Sequence, residues 1–165
     1  MTSTPAIGPL DDLDAVLALN DAHAAETSRL DAAALRAIVD QAFLATSVTG
    51  PEGLAAFLIA LDQDADYASP NFRWFQARCL RFVYVDRIVT APAQRGRGLA
   101  RALYEDLFAR AAAAGHGRIA CEVNRLPPNP ASDAFHAALG FAEVGTAEIH
   151  GGLKTVRYLL RETSR

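Results

Sequence analysis

The chemistry of this sequence concentrates in Val89-Thr90-Ala91-Pro92-Ala93-Gln94-Arg95-Gly96-Arg97-Gly98-Leu99-Ala100. A β-branched apolar run leads into two glycines set between arginines, and a helical pattern follows. Successive backbone N–H groups at a helix N-terminus point the same way and meet the positive end of the helix dipole, so such a loop can cradle a pyrophosphate without side chains. Glycine removes the Cβ that would hold an anion away, and Arg95 and Arg97 add charge. The segment lacks the Gly-Lys-Ser/Thr of a Walker A loop, and it lacks the third glycine and spaced acid of a dinucleotide fingerprint. The bland alternative is a glycine turn that merely lets strand and helix pack closely.

Two carboxylates, Asp86 and Glu122, sit inside apolar strand-like runs. Desolvating a carboxylate is costly unless it is paired, so each is either a working acid–base group or half of a structural ion pair, Asp86 with Arg87 or Arg118. Tyr67, Asn71, Phe72, Trp74 and Phe75 cluster beside acidic residues. Such a loop suits an organic cation through cation–π attraction and charge pairing, though aromatic loops also pack cores. The spacing Asp62-x-Asp64-x-Asp66 resembles a calcium loop, but Tyr67 stands where glycine is needed and Arg73 where a bidentate Glu is needed, so no metal is expected. Cys79 and Cys121 lie in apolar runs without a CxxC pair, which argues against a disulfide scaffold or a zinc site, and Cys121 reads as a small buried hydrophobe. His23, His116 and His150 read as helix, loop and turn residues.

The elements that must position these groups follow from periodicity. At 165 residues the chain is long enough to bury roughly 70% of its unfolded surface as one domain, residues 1–165, and no repeat or low-complexity linker divides it. Two short helices fit residues 10–42, the first entered through Asp11 and Asp12 and the second capped near Asp31. Residues 45–48 and 54–61 read as a hairpin around Gly50-Pro51, and 62–74 as a polar and aromatic loop. Residues 81–90 form the strongest strand, with Asp86 expected on one face with Tyr84 and Ile88. Leu99, Leu103, Leu107 and Ala111 mark a helix over 98–114 stopped by Gly115. A strand over 118–123, a helix over 131–139, and a hairpin 141–149/154–160 around Gly151-Gly152 complete an α+β layer with a mixed sheet. Residues 1–70 hold eleven acids and two arginines (−9), and residues 71–165 eight acids and fourteen basic residues (+6). No 18-residue apolar window and no signal-peptide layout occurs, so a cytoplasmic protein is expected, without membrane contact.

Arg95-x-x-Gly98-x-Ala100, preceded by a strand and Pro92, resembles the Arg/Gln-x-x-Gly-x-Gly/Ala signature of the GNAT superfamily of acyl-CoA-dependent N-acetyltransferases. Downstream, the segment from Asn129 through His136 to Gly140-Phe141 resembles that family's Asn-x-x-Ala…Tyr-x-x-x-Gly-Phe segment. The resemblance covers residues 82–141 closely and the remainder by element order. It implies a mostly antiparallel six- to seven-stranded sheet with helices on both faces, and acetyl-CoA wedged where parallel strands 82–90 and 118–123 splay apart. Main-chain groups of Ile88, Val89 and Thr90 would hold the pantetheine arm and polarise the thioester. Arg95, Gly96, Arg97, Gly98, Leu99, Ala100 and Arg101 would hold the pyrophosphate, and Asn129 would touch the arm from the far side.

The tyrosine to which the family's thiolate protonation is attributed falls on His136. Helical geometry groups His136 with Asn129 and Ser132/Asp133, apart from Phe135 and Leu139, and so aims the imidazole at the cofactor; it is either the acid or a packing residue. Asp86 or Glu122 is the candidate base, and Tyr67, Asn71, Phe72, Trp74 and Phe75 the candidate acceptor contacts. The expected activity is transfer of acetyl from acetyl-CoA to a small-molecule primary amine by direct attack in a ternary complex. A non-catalytic acyl-CoA sensing module on the same fold is the alternative. Nucleic acid is not an expected partner, since the arginines are few and form no stripe; a homodimer is left open.

Overall fold

The computed structural model describes residues 5–23 and 29–163. Its elements are β1 (Ile7–Pro9), α1 (Leu13–Ala22), α2 (Ala32–Asp40), β2 (Leu44–Gly50), β3 (Gly53–Asp62), α3 (Pro70–Gln76), β4 (Val83–Thr90), a 3-10 turn (Pro92–Gln94), α4 (Leu99–Ala113), β5 (Arg118–Leu126), α5 (Pro130–Ala138), β6 (Ala142–Ile149) and β7 (Lys154–Glu162). Seven strands form one sheet in the order β1-β2-β3-β4-β5-β7-β6. Every neighbouring pair is antiparallel except β4–β5.

Strand β3 shows why the sheet sits in the middle. Residues 55–61 are all buried, with Ala56, Leu58 and Ala60 in one apolar cluster and Phe57, Ile59 and Leu61 in the other. A strand alternates its side chains between two faces, so a run without polar positions is stable only when covered on both. α4 covers the first face through Leu99, Leu103, Leu107 and Ala111, joined by Leu139 and Phe141 from α5 and its C-terminal turn. α1 and α2 cover the second through Val16, Leu35 and Ile38, and α3 does so through Phe72 and Phe75. Asp12 and Asp31 cap α1 and α2, each accepting a backbone N–H three residues on. The β6–β7 hairpin turns through His150, Gly151 and Gly152, all at positive φ, a conformation that glycine adopts without Cβ strain.

Two elements depart from expectation. Ile7–Pro9 pairs with β2 as a three-residue edge strand, too short to show alternation. The aromatic segment expected as a loop contains the helix α3, started by Pro70 at its first position. Its i, i+3 pair Phe72 and Phe75 drives that choice: both are fully buried against Phe82 and Tyr84.

The central strand also differs in register. Ile59 pairs with Arg87 and Ala60 with Val85, which leaves Asp86 as an extra residue in β4. A bulge of this kind reverses the in–out parity beyond it. Val83, Val85 and Ile88 therefore share the α4 face, while Tyr84 and Val89 share the α1–α3 face. Ile88 does not lie with Tyr84, contrary to simple alternation.

Trp74, the single tryptophan, stacks on Tyr158 of β7 at 4.3 Å between ring centroids. A Cβ built on Gly145 of β6 would fall 2.4 Å from the Trp74 ring. Gly145→Ala should therefore displace the indole and destabilise the fold by about 1–3 kcal/mol. Urea denaturation followed by tryptophan emission reads both effects, and an unchanged midpoint and native spectrum would refute the packing constraint.

Candidate active site

β4 and β5 are paired only at Val83–Ile119 and Tyr84–Ala120, although β4 continues to Thr90 and β5 to Leu126. From Val85 onward β4 keeps its ladder to β3, through Ile88–Leu58, Val89–Phe57 and Thr90–Ala56, but has no register partner on β5. The two parallel strands separate into a gap whose walls are strand edges carrying backbone N–H and C=O groups. Such groups demand partners, which a ligand or water must provide.

Beyond the gap, β4 runs through the 3-10 turn into the loop before α4. Gly96 and Gly98 stand at φ +79° and +75°, and a Cβ at either would meet no heavy atom within 4 Å. Gly98 is the N-cap of α4 with no side-chain cap, so the first turn presents its N–H groups without an internal anion. Arg95 and Arg97 are exposed beside it, and Leu99, buried, anchors the helix start to the core. Arg101, expected on the same loop, donates to Glu105 at 3.1 Å. Ala100 lies half-buried in the first turn. Across the gap, Asn129 caps α5 by accepting the Ser132 N–H at 3.4 Å. Positively charged, uncapped and open, this loop fits the diphosphate of a coenzyme A molecule, and the unpaired strand edges fit the amide-rich arm that would follow.

On the α1–α3 face, Glu122 of β5 accepts a hydrogen bond from the Tyr84 hydroxyl at 2.5 Å. Tyr158, the cross-strand partner of Glu122, donates its hydroxyl to Asn71 Oδ1 at 2.9 Å and so sets the Asn71 amide beside the carboxyl. Burial pushes the Glu122 carboxyl up to about 7; the negative charge of Asp86 adds to this, while the bonds from Tyr84 and Asn71 oppose it. The Tyr84 hydroxyl is itself pushed far up by burial and by Glu122, so it stays protonated as a donor.

Asp86 is differently placed. Its carboxylate accepts from Arg87 Nε at 2.7 Å, with both side chains almost wholly buried, and Arg87 also donates to Asn20 of α1 at 2.9 Å. The half-buried Tyr67 hydroxyl joins the pair, with its own proton held more tightly by burial and by Asp86. Of the two carboxylates singled out from sequence, Asp86 is thus bound to a cation and Glu122 is held by neutral donors.

His136 meets Ser132 one turn away on α5, as helical spacing predicts, and it is also buried against α4. It is 5% exposed and packs edge-on against Tyr104, Phe135 and Phe141. Its Nδ1 lies 2.8 Å from the Ser132 carbonyl, which can only accept, so Nδ1 carries the proton and Nε2 accepts the Tyr104 hydroxyl at 2.8 Å. Burial lowers its proton affinity, against the opposing effects of the Ser132 carbonyl and Asp133. The imidazole is therefore directed into the α4–α5 packing. The Tyr104 partner, 32 residues away in sequence, is what helical periodicity alone does not reveal.

The aromatic residues expected to meet an acceptor divide similarly. Phe72 and Phe75 are fully interior. Trp74 is stacked on Tyr158 and overlaid by Arg78, 3.9 Å from the ring centroid, so its attraction for cations is met internally. Tyr67 and Asn71 remain at the site through their polar ends. Sequence reading missed Tyr84, Tyr158, Asn20 and Tyr104, because their roles arise from contacts 32 to 87 residues apart. Tyr84, two residues before Asp86 on a strand, was the only one carrying a local signal. Among the described residues no cluster suits a metal ion, and no helix is long and apolar enough to cross a membrane.

Several solved structures share this architecture. The ribosomal-protein-S18-alanine N-acetyltransferase of Escherichia coli superposes with a TM-score of 0.72 at 19% identity, covering 97% of this chain and 94% of that one. The putative acetyltransferase yncA of Salmonella typhimurium, solved with its cofactor acetyl-CoA, gives 0.71 at 19% identity over 99% and 96%. An aminoglycoside 6'-N-acetyltransferase complexed with coenzyme A gives 0.72 at 14% identity over 97% and 98%. No curated protein matches by sequence. At such identities the superpositions speak for the fold, and the family rests on sequence. The family model described as Acetyltransferase (GNAT) family matches residues 29–141, which include the loop at Gly96 and Gly98, the strand carrying Glu122 and the helix carrying His136, and the chain belongs to that family.

Proposed function

We propose that the protein transfers the acetyl group of acetyl-CoA to a primary amine, a small molecule, by direct attack in a ternary complex. The observation that carries this reading is the opening between β4 and β5, with a diphosphate-fitting loop at one end and a carboxyl group of near-neutral proton affinity on one wall. When bound, acetyl-CoA supplies an acetyl group already activated as a thioester. Main-chain groups of Ile88, Val89 and Thr90 align the arm and polarise the carbonyl, while Gly96, Arg97 and Gly98 hold the diphosphate. Glu122 takes the proton that the acceptor ammonium must lose before its nitrogen can attack. Asp86, neutralised by Arg87, shapes the bulge instead. His136 enters as a neutral partner of Tyr104 that packs α5 onto α4 and gives no proton to the leaving group; the second proton, shed by the nitrogen as the C–S bond breaks, would pass to solvent.

The choice of a small amine is supported by the acidic balance of residues 1–70, which favours cationic acceptors, although its structural neighbours include an enzyme named for a ribosomal-protein alanine as well as one named for aminoglycosides. A free-thiol assay with a panel of amines, polyamines and short peptides tests the reading. Thiol release with cationic small amines is the expected result; tight coenzyme A binding without release for any amine would instead favour a sensing module, and fastest reaction with peptides would overturn the acceptor class.

Gly98→Ala forces an alanine into φ +75°, at about 1–2 kcal/mol of backbone strain. Calorimetry should show coenzyme A affinity falling by tenfold or more, about 1.4 kcal/mol, in a protein that remains folded. Unchanged affinity would remove the loop from the cofactor site.

Glu122 works as a base only when ionised, so kcat/KM should rise as pH passes upward through about 7. Glu122→Gln should lower kcat by about 10² and abolish that limb, leaving only the titration of the amine. His136→Phe should leave kcat within about threefold and the profile unmoved; a loss near 10² with disappearance of an alkaline limb would reinstate His136 as the acid.

A further inference from the structure

Glu122 lies where three elements meet, facing Tyr84 and Asp86 from β4, Tyr158 from β7 and Asn71 from α3. Asn71, 9% exposed, brings a polar side chain from α3 to this group. A carboxamide offers one accepting oxygen and one donating NH2, and an ionised carboxylate can only accept. Facing Glu122, Asn71 must therefore turn its NH2 toward the carboxylate and leave Oδ1 for the Tyr158 hydroxyl, which donates to it at 2.9 Å. Tyr158 is held in turn by its stack on Trp74 and by Phe75 edge-on at 5.4 Å, both from the same helix as Asn71. The amide is thus fixed from both ends, by packing on one side and by charge on the other.

We propose that Asn71, clamped by Tyr158, is a positioning residue that holds the Glu122 carboxylate as the proton acceptor of the transfer reaction. The proposal rests on Glu122 being the base, as argued above. A buried carboxylate stays ionised only as far as donors replace the water it has lost. Tyr84 provides one such donor, and the Asn71 NH2, turned away from Tyr158, is placed to be the second. The remaining groups around Glu122 do not substitute for them. Asp86 repels it and is itself paired with Arg87, with Tyr67 beside that pair. Cys121 and Tyr104, the latter bonded to His136, are held neutral by burial on the α4 face. Arg78 lies over Trp74, beyond Tyr158.

The test uses the full chain labelled with carboxyl-13C glutamate, with the Glu122 signal assigned by its loss in Glu122→Gln. In Asn71→Leu the Glu122 midpoint should rise by about one pH unit, and the acid limb of kcat/KM should move up equally, with activity regained at high pH. Tyr158→Phe keeps the ring that stacks on Trp74 and removes only the hydroxyl, so it guards against loss of fold; it should shift both readouts in the same direction by a smaller amount. A side chain that merely supports the fold would lower the rate at every pH without moving either midpoint. An unmoved midpoint in folded Asn71→Leu and Tyr158→Phe overturns the link from Asn71 to Glu122. A midpoint that moves while the rate limb stays in place overturns Glu122 as the base, and the positioning role falls with it.

Discussion

Parallel strands that stop pairing in the middle of a sheet leave backbone groups without partners, and this molecule is organised around one such place. After Tyr84 and Ala120 the ladder between β4 and β5 ends, while β4 continues to Thr90 and β5 to Leu126. Unpaired backbone groups within a protein require a hydrogen-bonding ligand or water. The elements flanking the gap account for its use: α4 begins just beyond β4 with its N-terminus open, and α5 follows β5. Because β5 alternates its side chains, Cys121 faces α4 and Glu122 faces α3. The one strand thus presents an apolar side chain to α4 and a carboxyl group to the opposite face.

The bulge at Asp86 explains how a buried ion pair is tolerated next to that gap. An inserted residue brings Asp86 and Arg87, neighbours in sequence, into side-chain contact at 2.7 Å instead of sending them to opposite faces. Desolvating two charges is expensive, and their mutual attraction offsets it only when the remaining hydrogen-bonding capacity is filled. Asn20 and Tyr67 supply those bonds. The arrangement ties α1 and the segment before α3 to the central strand.

Opposite choices were made for the two polar groups on either side of β5. Glu122 is surrounded by neutral donors, so its charge is neither cancelled nor fully solvated, and its proton affinity settles near neutrality. His136 is surrounded by aromatic rings and has both nitrogens engaged, which favours a neutral ring. Environment, rather than residue type, separates the group suited to exchanging a proton from the one suited to packing.

Local information sufficed wherever the cause was local. The glycine–arginine loop, the caps at Asp12 and Asp31, the stripe along α4 and the β-branched and aromatic run that marked β4 as a strand all depend on near neighbours in sequence, and the loop with the Asn129-to-Phe141 segment was enough to indicate the family. The helix α3 escaped because its aromatic residues look alike in a loop and in a core; only packing on Phe82 and Tyr84 of the next strand region and on the remote Tyr158 makes burial of one helical face decisive. The bulge escaped because strand periodicity carries no mark of an inserted residue when β3 supplies the register. The sequence by itself therefore determined which residues were able to do chemistry. Tertiary structure paired Asp86 with Arg87, set Glu122 against Tyr84 and buried His136 against Tyr104, and the protonation of a buried group is set by the partners that folding brings to it.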